Sequence, residues 1–176
     1  NEDIVNSLKK IGSQAASLHT NKDNVIEIVP EQKELGFVGI PNKINTETIF
    51  EKLKNNLIPI ISPLGLGENK QTYNINGDHA AGAVAKSLKS RRLLLMTNVE
   101  GVLNREKKLI SEINSSKIIE MIEDKTITEG MIPKINTCLD AVKNDVTAVG
   151  IIDGRKPRSV LFELFSDKGS GTLIRK

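Results

Sequence analysis

Aromatic residues, cysteine and histidine are scarce in this chain of 176 residues, and each scarcity excludes a class of protein. With no Trp, one Tyr and four Phe, the hydrophobic core must be largely aliphatic. The single cysteine, Cys138, excludes an intrachain disulfide framework and any multi-cysteine metal site. His19 and His79 are the only histidines, which argues against a His-rich zinc site.

Long apolar runs and a strong excess of one charge are also missing. No apolar stretch approaches the roughly 18 residues of a membrane span. The net charge is only +3 at pH 7, and there is no dense basic cluster, which argues against a nucleic-acid-binding protein. Since 38% of the residues are hydrophobic, a core can still form. These features predict a soluble, cytoplasmic domain.

Short apolar runs alternate with segments of helical periodicity along most of the chain. Strands are predicted at residues 15–18, 25–29, 36–39, 57–64, 92–96, 147–152 and 172–174. Helices are predicted at residues 3–11, 45–56, 79–88, 115–122, 131–143 and 159–165. The run 57–64 is short and rich in Ile, which is typical of a strand buried on both faces. The alternation predicts an α/β fold with a mainly parallel sheet.

Such sheets bind ligands at the carboxyl ends of their strands, so the loops after Leu64, Met96 and Ile152 are the candidate sites. The loop after Leu64 leads through Asn74 to Asp78. Asn and Asp are common turn and N-cap residues. An Asn side chain also offers the donor and acceptor that suit a substrate with a carboxylate and an amide. Both interpretations are open at this point.

Two further segments also allow more than one interpretation. Residues 97–102 form either an ordinary βα turn or a nucleotide site. Lys134 follows Pro133 in the first turn of the predicted helix 131–143, where a cation is electrostatically disfavoured. Lys134 is therefore either one solvated lysine among many or the partner of a bound anion. The sequence has no P-loop, G-x-G-x-x-G, G-x-S-x-G or H-E-x-x-H motif.

Several segments, taken in order, carry a family resemblance over essentially the whole chain. They are residues 35–39, 58–65, 72–83, 129–134, 151–155 and 163–172. The most specific motifs are Tyr73-Asn74-Ile75-Asn76 followed by Asp78, and the run Gly130-Met131-Ile132-Pro133-Lys134. These segments resemble the acetylglutamate kinases of the amino-acid kinase superfamily.

The resemblance implies a three-layer α/β/α sandwich with a mainly parallel central sheet. It also implies phosphoryl transfer from ATP to the γ-carboxylate of N-acetyl-L-glutamate, a step of arginine biosynthesis. Magnesium would be carried by the nucleotide, and no protein metal site is expected. Within a single domain, residues 1–56 would end the substrate-binding half and residues 57–176 would form the nucleotide-binding half. A homo-oligomer without nucleic-acid or membrane partners is expected.

The resemblance also implies roles for individual residues. Lys134 would hold the nucleotide phosphates and the developing charge, and Asp78 would orient the lysines that flank the phosphate. Asp78 is not needed as a base, because a Glu-type carboxylate with a pKa of about 4.3 is already ionised at pH 7. Asn74 would bind the substrate's α-carboxylate and acetamido region, and Glu163 and Gly169 would contact an arginine effector. The implied nucleotide-binding residues are Asn98, Val99, Glu100, Gly101, Val102, Leu103, Thr126, Ile127, Thr128 and Met131.

The sequence also departs from the family pattern. Asn98 stands where Asp is usual, and Glu129 stands where Gly or Asp is usual. The Lys-x-Gly-Gly strand and the substrate-binding Arg of relatives are absent, so we expect this chain to be a carboxyl-terminal portion. Two alternatives to acetylglutamate kinase follow. One is a related kinase with another acceptor, and the other is a non-catalytic nucleotide- or arginine-binding module.

Overall fold

Helices and strands alternate along the chain in the computed structural model, which describes residues 1–68, 70–127 and 130–176. The helices are α1 (Glu2–Lys10), α2 (Thr20–Asp23), α3 (Thr46–Lys54), α4 (Gly77–Ser87), α5 (Ser115–Glu123), α6 (Ile132–Lys143) and α7 (Ser159–Phe165), with a 3-10 turn at Lys33–Leu35. The strands are β1 (Ala15–Leu18), β2 (Ile26–Pro30), β3 (Gly39–Ile44), β4 (Ile58–Ile61), β5 (Leu64–Leu66), β6 (Thr72–Asn74), β7 (Arg92–Thr97), β8 (Glu112–Asn114), β9 (Ala148–Asp153) and β10 (Gly171–Arg175). The predicted α/β class is confirmed.

The chain divides into two compact units, of which the first is Asn1–Ser87. Its larger sheet has the strand order β3-β2-β5-β6, and β1 pairs with β4 in a two-stranded sheet. The β1–β4 and β2–β5 pairs are parallel, whereas the β2–β3 and β5–β6 pairs are antiparallel. The buried side chains are aliphatic, as the composition predicts, and include Leu18, Ile26, Ile49 and Ile75.

Two predicted strands of this unit are wrong in detail. The run 57–64 is two strands, because the chain turns at Ser62 and Pro63 and changes partners from β1 to β2 and β6. The β4 half is also not buried on both faces, since Ile58 is 46% exposed. The strand predicted at residues 36–39 lies further along, as β3. Proline is disfavoured in central strands, because it cannot donate a backbone hydrogen bond. Pro41 is tolerated in β3 because β3 is an edge strand.

The second unit is Leu88–Lys176, and its sheet has the strand order β7-β9-β10-β8. Strands β7 and β9 are parallel and in register, so that Thr97 lies opposite Asp153 at their carboxyl ends. Strand β10 runs antiparallel to β9 and parallel to β8. The amino end of β10 therefore lies at the same edge as the carboxyl ends of β7 and β9. Cys138 is fully buried, as expected of a small core residue.

Asparagine side chains cap several helices, as their preference for N-cap positions predicts. The Asn45 side chain accepts a hydrogen bond from the Thr48 backbone N–H at the start of α3. At α5, Asn114 accepts from Lys117 in the same way.

In the described part of the chain, no helix has the length and apolar character that crossing a membrane requires. The predicted division into substrate and nucleotide halves stays a prediction.

Candidate active site

In the first unit, backbone hydrogen bonds hold the segment that joins β6 to α4. The Asn74 N–H donates to the Phe37 carbonyl oxygen at 2.8 Å, and the Ile75 N–H donates to the Pro63 carbonyl oxygen at 2.9 Å. Ile75 is buried, whereas Asn74 is exposed. The two hydrogen bonds fix the backbone of this segment. The Asn74 side chain stays at the surface, as a substrate-binding residue requires.

Asn76 is the residue of this segment that caps α4. Its Oδ1 accepts hydrogen bonds from the Asp78 N–H at 2.9 Å and the His79 N–H at 3.3 Å. Asp78 itself is half-buried in the first turn of α4, where the helix dipole favours a negative side chain. The capping role considered for these polar residues therefore belongs to Asn76.

In the second unit, residues 98–103 form the loop that follows β7. Because nucleotide binding is predicted for these residues, we call it the nucleotide loop. Its first three residues, Asn98, Val99 and Glu100, are exposed, whereas Gly101 and Val102 are buried. The Val102 N–H donates to the Thr172 hydroxyl oxygen at 2.8 Å. Leu103, the last residue of the loop, is 37% exposed. Buried contacts at Gly101 and Val102 thus hold a loop whose other residues face solvent.

The second predicted nucleotide stretch precedes α6. Ile127 is buried and its N–H donates to the Met121 carbonyl oxygen at 2.9 Å, so its side chain belongs to the core. Met131 is the N-cap residue of α6. Thr128 and Glu129 lie outside the described residues.

Arg105 connects the nucleotide loop region to this second stretch. Its Nε donates to the Thr126 hydroxyl oxygen at 3.2 Å, and its Nη2 lies 2.9 Å from Asp124 Oδ2. Hydrogen bonds from Thr126, together with the Arg105 guanidinium, lower the pKa of the Asp124 carboxyl below its usual value. Sequence reasoning missed Arg105 and Asp124, because no local pattern reports a contact between residues so far apart in the chain.

A cavity of about 620 Å³ opens beside this cluster. Its lining includes Asn104, Arg105, Lys117, Asp124 and Thr126. Lys117 bonds Glu120 at 2.7 Å, and this interaction raises the pKa of the lysine. The cavity therefore presents both cationic and anionic groups next to Thr126, one of the predicted nucleotide-binding residues.

Lys134 also belongs to the second unit, whereas Asn74 and Asp78 belong to the first. Lys134 lies in the first turn of α6, after Pro133, as the sequence predicts, and the structure shows that it is half-buried. Helix α6 itself carries no acidic residue in its first turn. The lysine charge and the positive end of the helix dipole therefore add, which favours an anion there.

Asp153 ends β9 and is 2% exposed. Its Oδ1 accepts hydrogen bonds from the backbone N–H and the Nε of Arg155, and its Oδ2 accepts from Nη2 at 2.9 Å. These bonds lower the pKa of the Asp153 carboxyl to about 2. Two further contacts reach the β7 end of the sheet, from the Gly154 N–H to the Thr97 carbonyl oxygen and from Lys156 to Glu100.

This depressed pKa predicts how Asp153→Asn changes the acid sensitivity of folding. A carboxyl whose pKa is lower in the folded state stabilises the fold above its unfolded value of 3.8, and this stabilisation is lost as the pH falls toward about 2. We expect the parent to lose stability over that pH window more steeply than Asp153→Asn, which is already less stable at pH 7. Urea unfolding of the protein containing this chain, at pH values from 7 to 2, measures both. Asp167→Asn is the control and should follow the parent. If the free energy of unfolding falls with pH equally steeply in the parent and in Asp153→Asn, the prediction is contradicted.

Glu163 and Gly169, implied as effector contacts, lie together. Glu163 is buried, and its Oε2 accepts a hydrogen bond from the Ser170 N–H at 2.9 Å while its Oε1 lies 3.9 Å from Arg92 Nη1. A Cβ on Gly169 would lie only 2.7 Å from Glu163 Oε2, and its φ of +64° also favours glycine. A cavity of about 460 Å³ is lined by both residues and by Arg92, Lys168 and Arg175.

Metal-ligating side chains are not clustered in the part of the chain that the structure describes. No group of three or more His, Cys, Asp or Glu residues there is placed to hold a metal ion.

Comparisons with known proteins show which family this chain resembles. Residues 1–153 match the amino acid kinase family. The chain is 53% identical over 176 residues to the acetylglutamate kinase of Pelagibacter ubique (strain HTCC1062) and 45% identical over 175 residues to that of Jannaschia sp. (strain CCS1). It spans 61% of the length of each of these relatives. The crystal structure of smu.665 from Streptococcus mutans UA159 superimposes with a TM-score of 0.82 at 33% identity, covering 99% of this chain and 66% of that one.

Proposed function

Because this chain belongs to the amino acid kinase family, we propose that the protein containing it transfers the γ-phosphoryl group of MgATP to the γ-carboxylate of N-acetyl-L-glutamate. The observation that carries the proposal is the 53% identity to an acetylglutamate kinase over the full chain. That span includes Asn74, Asp78 and Lys134. The product would be an acyl phosphate, formed as a step of arginine biosynthesis.

The reaction needs charge neutralisation more than it needs a base. The substrate carboxylate is ionised at pH 7, so one of its oxygens attacks the γ-phosphorus directly while ADP leaves. Catalysis of such transfers comes mainly from positioning and from stabilising charge on the transferred group. Lys134 and the amino end of α6 supply positive charge. This explains why a lysine occupies a position that would otherwise be unfavourable.

The remaining predicted residues have binding and orienting roles. We assign Asn74 to the acceptor, since its amide is exposed on a segment fixed by backbone hydrogen bonds. Asp78 orients the phosphate-binding lysines. We assign the adenosine part of ATP to the nucleotide loop and to Thr126, Ile127, Thr128 and Met131. Mg²⁺ would be carried by the phosphates. We further propose that the whole protein is a homo-oligomer that works in the cytoplasm, where MgATP is available.

A panel of acceptors tests the proposed substrate. The protein containing this chain is incubated with MgATP and, in turn, acetylglutamate, glutamate, aspartate, carbamate or UMP, and ADP release is measured. We expect acetylglutamate to give the highest kcat/KM. Faster turnover of another acceptor contradicts the substrate assignment but leaves kinase activity in place. ADP release that no acceptor stimulates contradicts the kinase assignment and favours a binding module.

We also propose that L-arginine binds the cavity that Glu163 and Gly169 line, because this lining presents both a carboxylate, Glu163, and the cations Lys168 and Arg175, which suit the opposite charges of an amino acid. Millimolar L-arginine is expected to lower the rate of the protein containing this chain. The Glu163→Gln variant is expected to lose this inhibition, whereas Glu123→Gln, an exposed control, keeps it. A parent rate unaffected by arginine contradicts the effector assignment.

A further inference from the structure

We infer that Thr172 is a positioning residue whose hydroxyl holds the nucleotide loop in shape and thereby sets the affinity for MgATP. Thr172 lies in β10, far along the chain from residues 98–103. The inference rests on the proposed function in its claim about MgATP. Its claim about the loop rests on the geometry of the second unit alone.

The Thr172 hydroxyl joins two segments of the chain inside the protein. The residue is 0% exposed. Its Oγ1 accepts the Val102 N–H at 2.8 Å and donates its own hydrogen to the Ile110 carbonyl oxygen at 2.6 Å. The Ile110 N–H in turn donates to the Val102 carbonyl oxygen at 2.9 Å. Thr172, Val102 and Ile110 thus form a closed set of hydrogen bonds that a side chain without a hydroxyl cannot complete.

Gly101 shows how closely the loop packs on this hydroxyl. A Cβ at Gly101 would lie 2.5 Å from Thr172 Oγ1 and 2.8 Å from Leu109 Cδ1. The Gly101 φ of +144° is also one that other residues rarely adopt. The backbone therefore approaches the hydroxyl as closely as glycine allows, so the position of Thr172 determines where the loop lies.

The consequence for binding follows from the order of residues in the loop. Asn98, Val99 and Glu100 are exposed and directly precede the anchored pair of Gly101 and Val102. Without the hydroxyl, the buried Val102 N–H loses its partner, which is costly enough to drive the backbone to a new position. The exposed residues would move with it. Asn74, the residue proposed to bind the acceptor, belongs to the first unit, whereas this loop belongs to the second.

The test compares Thr172→Val, which removes the hydroxyl at nearly constant volume, with Thr172→Ser, which keeps it. Ile174→Val is the matched control, since it removes one methyl group from a fully buried residue of the same strand and no hydrogen bond. In the protein containing this chain, the KM values for MgATP and acetylglutamate are measured, together with hydrogen exchange of the Val102 amide. We expect Thr172→Val to raise the KM for MgATP about tenfold, to leave the KM for acetylglutamate unchanged and to speed Val102 exchange. Thr172→Ser and Ile174→Val should resemble the parent.

The outcomes separate this inference from the proposed function. If the parent phosphorylates acetylglutamate and Thr172→Val changes neither KM, or both equally, the inference is wrong and the proposed function stands. If the parent is inactive toward acetylglutamate, the proposed function fails. Val102 exchange then decides the structural claim, and unchanged protection in Thr172→Val overturns it.

Discussion

Replacing Lys134 with alanine is expected to lower turnover by at least about a hundredfold, because it removes a positive charge that would stabilise the transferred phosphoryl group. The half-buried lysine lies in the first turn of α6, where its charge adds to that of the helix dipole. A lysine that only faced solvent at this position would contribute little to turnover. The change in kcat is measured with saturating MgATP and acetylglutamate in the protein containing this chain.

Lys143→Ala is the matched control for this prediction. Lys143 is exposed and lies in the last turn of the same helix, so its loss tests the removal of a lysine from α6 without touching its amino end. We expect Lys143→Ala to keep the parent rate. If Lys134→Ala stays within a few-fold of the parent while its circular dichroism is unchanged, the catalytic assignment of Lys134 is wrong.

Gly171→Ala is expected to lower the free energy of unfolding by about 3 kcal/mol. The new Cβ would lie 2.0 Å from the Ile151 carbonyl oxygen and 2.9 Å from the Ile151 carbonyl carbon. Both are backbone atoms of β9, which pairs with β10 along this edge. These atoms cannot move away without breaking the pairing of β9 with β10, the strand that also contains Thr172.

The control is Gly77→Ala at the start of α4, where an added Cβ meets no atom within 4 Å. That substitution should leave the free energy of unfolding unchanged or raise it by about 0.5 kcal/mol, since alanine restricts the unfolded chain. Chemical denaturation of both variants measures the difference. A Gly171→Ala variant as stable as Gly77→Ala would contradict the packing of β10 against β9.

Local patterns predicted most of the elements that carry the candidate site. The apolar runs that became β7 and β9 sit between clear turn residues. Asparagine caps give a physical reason for the start of α3, α4 and α5. Asn45 caps α3, and Pro133 and Lys134 occupy the first turn of α6 as predicted. At these places local propensity and tertiary packing favour the same structure.

The predictions failed where tertiary pairing decides the structure. Strand β3 contains Pro41 and polar residues, and it forms because β2 offers it an open edge. Strand β8 has three residues and only Ile113 among them is buried. Neither has the periodicity that identifies a strand in a sequence.

The same limit applies to the candidate site. The roles of Asn74, Asp78 and Lys134 came from a family resemblance, which covers motifs that are contiguous in the chain. Thr172 falls within a matched segment, yet its contact with Val102 joins residues 70 positions apart. Arg105 and Thr126 are likewise separated by 21 positions. Such contacts become visible only when the strands are placed beside one another.

Hydroxylamine trapping tests the central claim most directly, because it identifies the bond that the reaction forms. An acyl phosphate on the γ-carboxylate of acetylglutamate reacts with hydroxylamine to give the γ-hydroxamate and free phosphate. The protein containing this chain, supplied with MgATP, acetylglutamate and hydroxylamine, should form that hydroxamate in equal amount to ADP. ADP without hydroxamate, or neither product, would contradict phosphoryl transfer to the acetylglutamate carboxylate.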